Sequence, residues 1–439
     1  MRSAIALSAS ARHAHEASVG VDRHDLPFRI RLALDIADQA LSTALEECPA
    51  NNPSTPAERP LLLQKVVAES ALLLRCCAFL RTTNYELAAR IESLATRLAV
   101  LARSDRTWAA LCREPVCAIE HATAHVLLTD LGYPDAAFDG LLAHVLSSDE
   151  SFAGERLPGQ DLEREWLLQI RAGADRDRSA EPELLARTGI ARPLDALRAS
   201  IYNVYAFTHV LLHATDMGQR TVAWPRGHAP LVADAEAALA IALDADNLDL
   251  AAEVLWTWPM AGLAWPPAAA FAFELLTRVQ DEHGFLPGPE YSHENQSDGG
   301  RPWTRHTLRT SYHSTFVMGF LCAAMLRTPP VMPPCTAEPD AGALAALGRI
   351  TRQLDSAGSA LRWLDAIAQS SPARQAALAP LLLTAALRRA AAASDIVWLR
   401  QCLAIGLDLG LDDGLGFEQG LRLLKRATRF AGSGASTCL

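Results

Sequence analysis

The sequence predicts an all-α protein of repeated helical hairpins, arranged as an α/α toroid or a solenoid. Three observations carry this. Apolar residues recur at three- and four-residue spacing over 26–45, 61–80, 85–101, 232–242 and 341–367, the period of helices with one buried face. The same stretches are rich in Ala, Leu, Arg and Glu, residues that favour the helix. Alternating β-branched runs of strand length are almost absent, and Gly-bounded hairpins with them.

In chain order, residues 1–24 read as a flexible N-terminus, too weakly patterned for a signal peptide. An α/α helical domain follows over 25–326. Irregular stretches at 48–60 (CPANNPSTPAERP), 153–161, 172–182, 219–230 (QRTVAWPRGHAP) and 284–302 separate its helices. A polar turn precedes a Leu/Ala-rich helix at Asn84, at Asn247 and more loosely at Ser394-Asp395, which suggests a repeated hairpin unit. Residues 327–342 (RTPPVMPPCTAEPDAG) form a Pro-rich linker, because proline cannot continue a helix. A C-terminal helical segment at 343–431 either completes the same domain or stands apart, and 432–439 is a frayed tail.

Composition narrows the function classes. Of 439 residues, 50% are hydrophobic, enough for a large core and too many for a disordered chain. The net charge of −10 weighs against a non-specific nucleic-acid binder. Only Lys65 and Lys425 among the basic residues are lysine. No apolar run approaches the roughly 18 residues a membrane span needs. Nine cysteines without a C-x-x-C motif fit a reducing compartment, so the expectation is a soluble, cytoplasmic protein. The P-loop, dinucleotide-binding and nucleophile-elbow motifs are all missing.

One internal pattern recurs. A-H-V-L-L-T-D-L-G at 124–132 returns as T-H-V-L-L-H-A-T-D-M-G at 208–218. Each reads as an inward helix closed by T-D-x-G, with glycine in the left-handed conformation. The stretch LLTRVQDEHGFLPG at 275–288 resembles an edge seen in terpenoid cyclases and protein prenyltransferases. YHSTFVMG at 312–319 resembles the inner helix that follows such an edge in α/α toroids, lanthionine cyclases included. The resemblance implies a toroid. The chain lacks both the D-x-D-D acid motif and the Cys-His-Gly zinc motif of those enzymes. The T-H-x-L-x-x-x-T-D-x-G pattern also resembles an uncharacterised group of actinobacterial helical proteins, which implies no activity.

Three groups of residues point to chemistry. His121 and His125 are four apart, as are His209 and His213. On helices each pair would share a face, and two facing pairs could hold one or two transition-metal ions (Zn, Cu or Fe). Glu120, Asp130 and Asp216 would lie nearby, and the alternative is structural histidines. The second group spans 287–313, with Glu290, Tyr291, Arg305, Arg309, Tyr312 and His313. The arginines could hold an anion and His313 could exchange protons, or the region is a solvated loop and helix face. The third group, Trp256, Trp258 and Trp265, could line an apolar pocket or fill the core at a helix break.

Together these give a tailoring enzyme with a His/Asp-lined cavity that performs acid/base or metal-assisted cyclisation, elimination or related chemistry on a peptide or small natural product. His209, Asp216, His313, Tyr312 and Arg305 would be catalytic. Trp256, Trp258, Trp265, Arg309, Glu290 and Tyr291 would bind substrate. His121, His125, His209 and His213 would hold the metal. The alternative is a non-catalytic helical-repeat module that binds a peptide or partner protein. No nucleic-acid or membrane partner is expected, and homo-oligomerisation stays open.

Overall fold

The computed structural model describes residues 25–47, 61–173, 178–292, 304–331, 339–355 and 362–432. Among them are 21 α-helices and no strand. The N-terminus at 1–24, the tail beyond 432, the loops at 48–60 and 293–303, and the linker at 332–338 lie outside the described residues.

The helical rhythm produces α1 (Leu26–Glu46), α2 (Leu63–Cys77), a short α3 (Leu80–Thr83) and α4 (Tyr85–Leu101). Next come α5 (Asp105–Arg113), α6 (Ala118–His121), α7 (Thr123–Asp130), α8 (Ala136–Leu146) and α9 (Pro158–Ala172). Then follow α10 (Glu181–Arg187), α11 (Ile201–Ala214), α12 (His228–Asp244), α13 (Leu248–Ala261), α14 (Pro267–His283) and α15 (Arg305–Arg327). The C-terminal segment holds α16 (Ala341–Asp355), α17 (Arg362–Ala368), α18 (Pro372–Ala377), α19 (Ala379–Ala392), α20 (Ile396–Asp408) and α21 (Leu415–Gly432).

The recurring polar turn is a set of helix caps. The side chains of Asn84, Asn247 and Asp395 accept from the backbone N–H of Leu87, Leu250 and Trp398 at 3.1, 3.0 and 2.8 Å. Each satisfies one of the amides a helix start leaves unpaired. Several boundaries differ from expectation. Pro158 and Pro182 lie in the first turns of α9 and α10, where a missing N–H costs nothing. The expected helix over 341–367 is divided between α16 and α17. His121 ends α6 while His125 lies in α7, so HATAH does not form one helical face. The first T-D-x-G copy closes on Gly132 at φ +96° as expected, whereas in the second Asp216 at φ +51° takes the closing position, followed by Met217 at φ +57° and Gly218 at φ +80°.

The helices pack in a cycle. α2 packs on α7, α7 on α9, α9 on α11, α11 on α13, α13 on α15, and α15 returns to α2. Other helices pack against these: α1 lies along α15 and α2, α4 on α2, α12 on α13, and α14 on α13. α13 and α15 are buried on nearly every side, as helices enclosed by neighbours must be. In the C-terminal segment α19 packs on α12, while α17 and α18 reach α14.

Candidate functional site

Two polar centres occupy the six-helix cycle. One is a clamp at Arg75, near the C-terminal end of α2. Its Nε donates to Asp130 at 3.2 Å, and Nη1 and Nη2 donate to the two Asp216 oxygens at 2.6 and 3.0 Å. The Trp166 indole N–H also donates to Asp216, at 2.7 Å. The two T-D-x-G copies thus converge on a single guanidinium, whose planar fork suits carboxylates.

The other centre gathers side chains from four helices of the cycle. His313 of α15 has Nδ1 3.2 Å from Glu69 Oε1 on α2. Its Nε2 lies 3.9 Å from Asp249 Oδ1 and 3.7 Å from Glu253 Oε1, both on α13. Asp249 and Glu253 are one helical turn apart and so share a face. Tyr205 of α11 donates to Asp249 Oδ2 at 2.7 Å, and Thr208 of α11 donates to Glu253 Oε2 at 2.7 Å. His209 of the same helix stands 3.9 Å from Glu253 Oε2.

These groups shift one another. Burial disfavours the His313 imidazolium, but the Glu69 and Asp249 charges outweigh it and hold its pKa well above the ordinary value. Burial pushes Glu69 up, and His313, Lys65 and the Tyr312 hydroxyl together more than reverse this, leaving it low. Asp249 is raised by burial and by Glu253, against the pull of His313 and the Tyr205 and Ser314 hydroxyls. Burial also raises Tyr205 and Tyr312, each with a carboxylate beside it.

A cavity of about 710 Å³ opens beside this cluster. Leu157, Pro158, Phe207 and Val210 give it apolar wall, while Glu163, His209 and His213 bring polar groups. His209 joins the two regions, since it lines the cavity and approaches Glu253. Glu163 is raised by burial. His213, tilted against Trp166 with ring centroids 5.0 Å apart, is pushed down to about 3 by burial and by neighbouring His209.

The model of one protein family, a domain of unknown function named DUF6895, matches residues 31–323, well over half of the chain. The chain belongs to the DUF6895 family. No curated protein and no solved structure matches it. The matched DUF6895 region contains the whole six-helix cycle except the last residues of α15.

Within this DUF6895 domain the sequence candidates separate. His209, Tyr312 and His313 lie in or beside the carboxylate cluster. Asp216 does not; it is held in the Arg75 clamp. The four histidines of the two H-x-x-x-H pairs do not form one metal group. His121 meets Glu114 at 3.0 Å, and both ring nitrogens of His125 are engaged, by Arg103 at 3.0 Å and Asp139 at 2.9 Å. Arg305 and Arg309 pair with Glu46 and Glu47 at the end of α1, at 3.1 and 2.6 Å. Trp256, Trp258 and Trp265 are buried in the core, Trp256 stacked on Phe320. They do not line the 710 Å³ cavity, because α13, which carries Trp256 and Trp258, is enclosed on nearly every side, and Trp265 is buried in the loop that follows it. Glu290 is exposed, and Tyr291 packs on Phe285 with centroids 5.1 Å apart. Sequence reasoning missed Glu69, Asp249, Glu253 and Tyr205. The available signal was Asp249 and Glu253 at i and i+4 in an otherwise apolar helix, the same spacing that drew attention to the histidines.

Proposed function

We propose that the cycle of α2, α7, α9, α11, α13 and α15 is an α/α toroid and that the chain is an enzyme. Its reaction centre is His313 with Glu69, Asp249 and Glu253, and its substrate occupies the adjoining cavity. Return of α15 to α2 supports the toroid over an open solenoid. One observation carries the enzymatic reading: three carboxylates from two helices face one imidazole, beside a cavity large enough for a small organic molecule. Burying such charges costs several kcal/mol each and stabilises little, roughly, so scaffolding does not explain them. Groups this perturbed cluster at reactive sites.

The chemistry is a tailoring step, a cyclisation, elimination or related reaction on a small natural product or a short peptide. His209 faces the cavity with 57% of its side chain exposed and transfers the proton. The carboxylate cluster supplies the fixed charge that polarises the reacting bond. Glu163 and the apolar wall position the substrate.

The test is to incubate purified protein with fractionated small-molecule and peptide extracts and to follow depletion by mass spectrometry. Wild type is expected to convert at least one component. His209→Gln and Glu253→Gln should stay folded by circular dichroism and lose about 100-fold or more of the rate. Unchanged extracts, with a peptide or protein captured instead, would establish the non-catalytic binding module.

A further inference from the structure

The cluster holds its side chains in a particular way. The two carboxylates are tethered through their far atoms, Asp249 Oδ2 by Tyr205 and Glu253 Oε2 by Thr208, while His313 Nδ1 lies 3.2 Å from Glu69 Oε1 as an ion pair without a hydrogen bond. The near atoms are turned towards one another. Asp249 Oδ1, Glu253 Oε1 and His313 Nε2 belong to a group whose ligand atoms all lie within 4.8 Å of one another. The gaps from the ring nitrogen, 3.9 and 3.7 Å, are too long for hydrogen bonds. They approach the separation of about 3.3–3.6 Å between neighbouring donors placed tetrahedrally around an ion at about 2.0–2.2 Å.

A second observation is independent of that spacing. Asp249 is only 4% exposed, and its Oδ1 has no hydrogen-bond partner. A buried carboxylate oxygen aimed at two other ligating atoms is a position that a bound cation satisfies. The charges agree. Glu69 has Lys65 at 3.7 Å, so once His313 gives up its proton to ligate an ion, Asp249 and Glu253 are the pair of charges to be matched.

We propose that Asp249 Oδ1, Glu253 Oε1 and His313 Nε2 bind one divalent transition-metal ion. Glu69, Tyr205 and Thr208 orient these ligands from outside, as supporting carboxylates and hydroxyls do at metal sites. Two carboxylate oxygens and one imidazole nitrogen suit Mn²⁺, Fe²⁺ or Zn²⁺ better than a soft ion such as Cu⁺. Three protein ligands leave coordination positions open, and a third of the His313 side chain stays accessible for water or substrate to approach. The site differs in every residue but chemical type from the H-x-x-x-H pairs. The inference rests on the reading of this cluster as the reaction centre and specifies what that centre contains.

The test uses the full chain stripped with chelator and titrated separately with Mn²⁺, Co²⁺ and Zn²⁺. Elemental analysis after gel filtration should find close to one ion per chain. Co²⁺ should give a visible d–d band, and the melting temperature should rise by about 3 °C or more. Glu253→Gln and His313→Gln should abolish the band. Glu69→Gln should weaken binding about 10–100-fold, and His209→Gln should retain the ion. Wild type with neither bound ion nor band overturns the proposal, as does Glu253→Gln binding like wild type. If the ligand variants fail to fold, the wild-type spectrum and Glu69→Gln decide. Turnover by the stripped protein overturns the ion while keeping the enzyme. A stoichiometric ion without turnover of any component keeps the ion and removes the enzyme.

Discussion

His213 and His313 show how environment decides what one residue type does. His213 sits against Trp166 with no carboxylate to balance a charge, and its pKa falls to about 3. His313 faces three carboxylates, and its pKa rises. The His213 shift has a consequence for stability. Between pH 6.5 and 3 the unfolded chain binds a proton at this position that the folded chain refuses, so stability falls as pH drops through that window. His213→Gln should make the melting temperature less sensitive to acid than in wild type between pH 7 and pH 5, measured by differential scanning calorimetry. At this scale the sequence was only partly readable. The spacing of the histidines was visible, but not that His125 spends both nitrogens on Arg103 and Asp139. Glu69 offered no signal at all, since a single Glu in an apolar helix looks like a surface residue until its neighbours are known.

At the scale of the element, helix rhythm was the legible part, because burial of one face repeats every three to four residues. Breaks without Gly or Pro were not legible. Ala122 divides α6 from α7 with no residue that marks a turn. α15 also shows how tightly these helices approach. A Cβ on Gly319 would stand 2.6 Å from Ala33 Cβ on α1 and 3.2 Å from Leu73 Cδ1 on α2. Leu73 can adjust, but Ala33 can move only with its backbone. In a helix interior Gly→Ala ordinarily gains about 1 kcal/mol. Here overpacking at the crossing outweighs that gain, and Gly319→Ala should destabilise the fold by about 1–3 kcal/mol in urea denaturation. A stabilised variant would mean that α1 and α15 are not held this close.

At the scale of the whole molecule, the C-terminal segment lies beyond the family match yet is tied to the rest. Arg389 donates to Asp244 at 2.8 Å, and Arg374 pairs with Glu274. Gln419 donates to the Leu194 carbonyl at 2.7 Å and accepts from the Ala196 N–H at 2.8 Å. α12, on which α19 packs, is buried over most of its surface. A chain ending at residue 331 should therefore expose apolar surface, bind more of the dye ANS and stay less soluble than the full chain. Equal solubility and dye binding would show that the matched region folds unaided. The Pro-rich stretch that separates the segment was plain in the sequence; the contacts that bring it back depend on distant pairings no local pattern encodes. The longest such pairings carry a cost in time. Arg29 of α1 donates to Gln280 at 2.7 Å, 251 residues further along, and α15 packs along α1 later still. At about 5–20 residues per second on the ribosome, α1 waits roughly 13–50 s for its partners to be synthesised. Its apolar face must be sheltered throughout that interval, so production of this protein should depend on holding chaperones far more than its final stability would suggest.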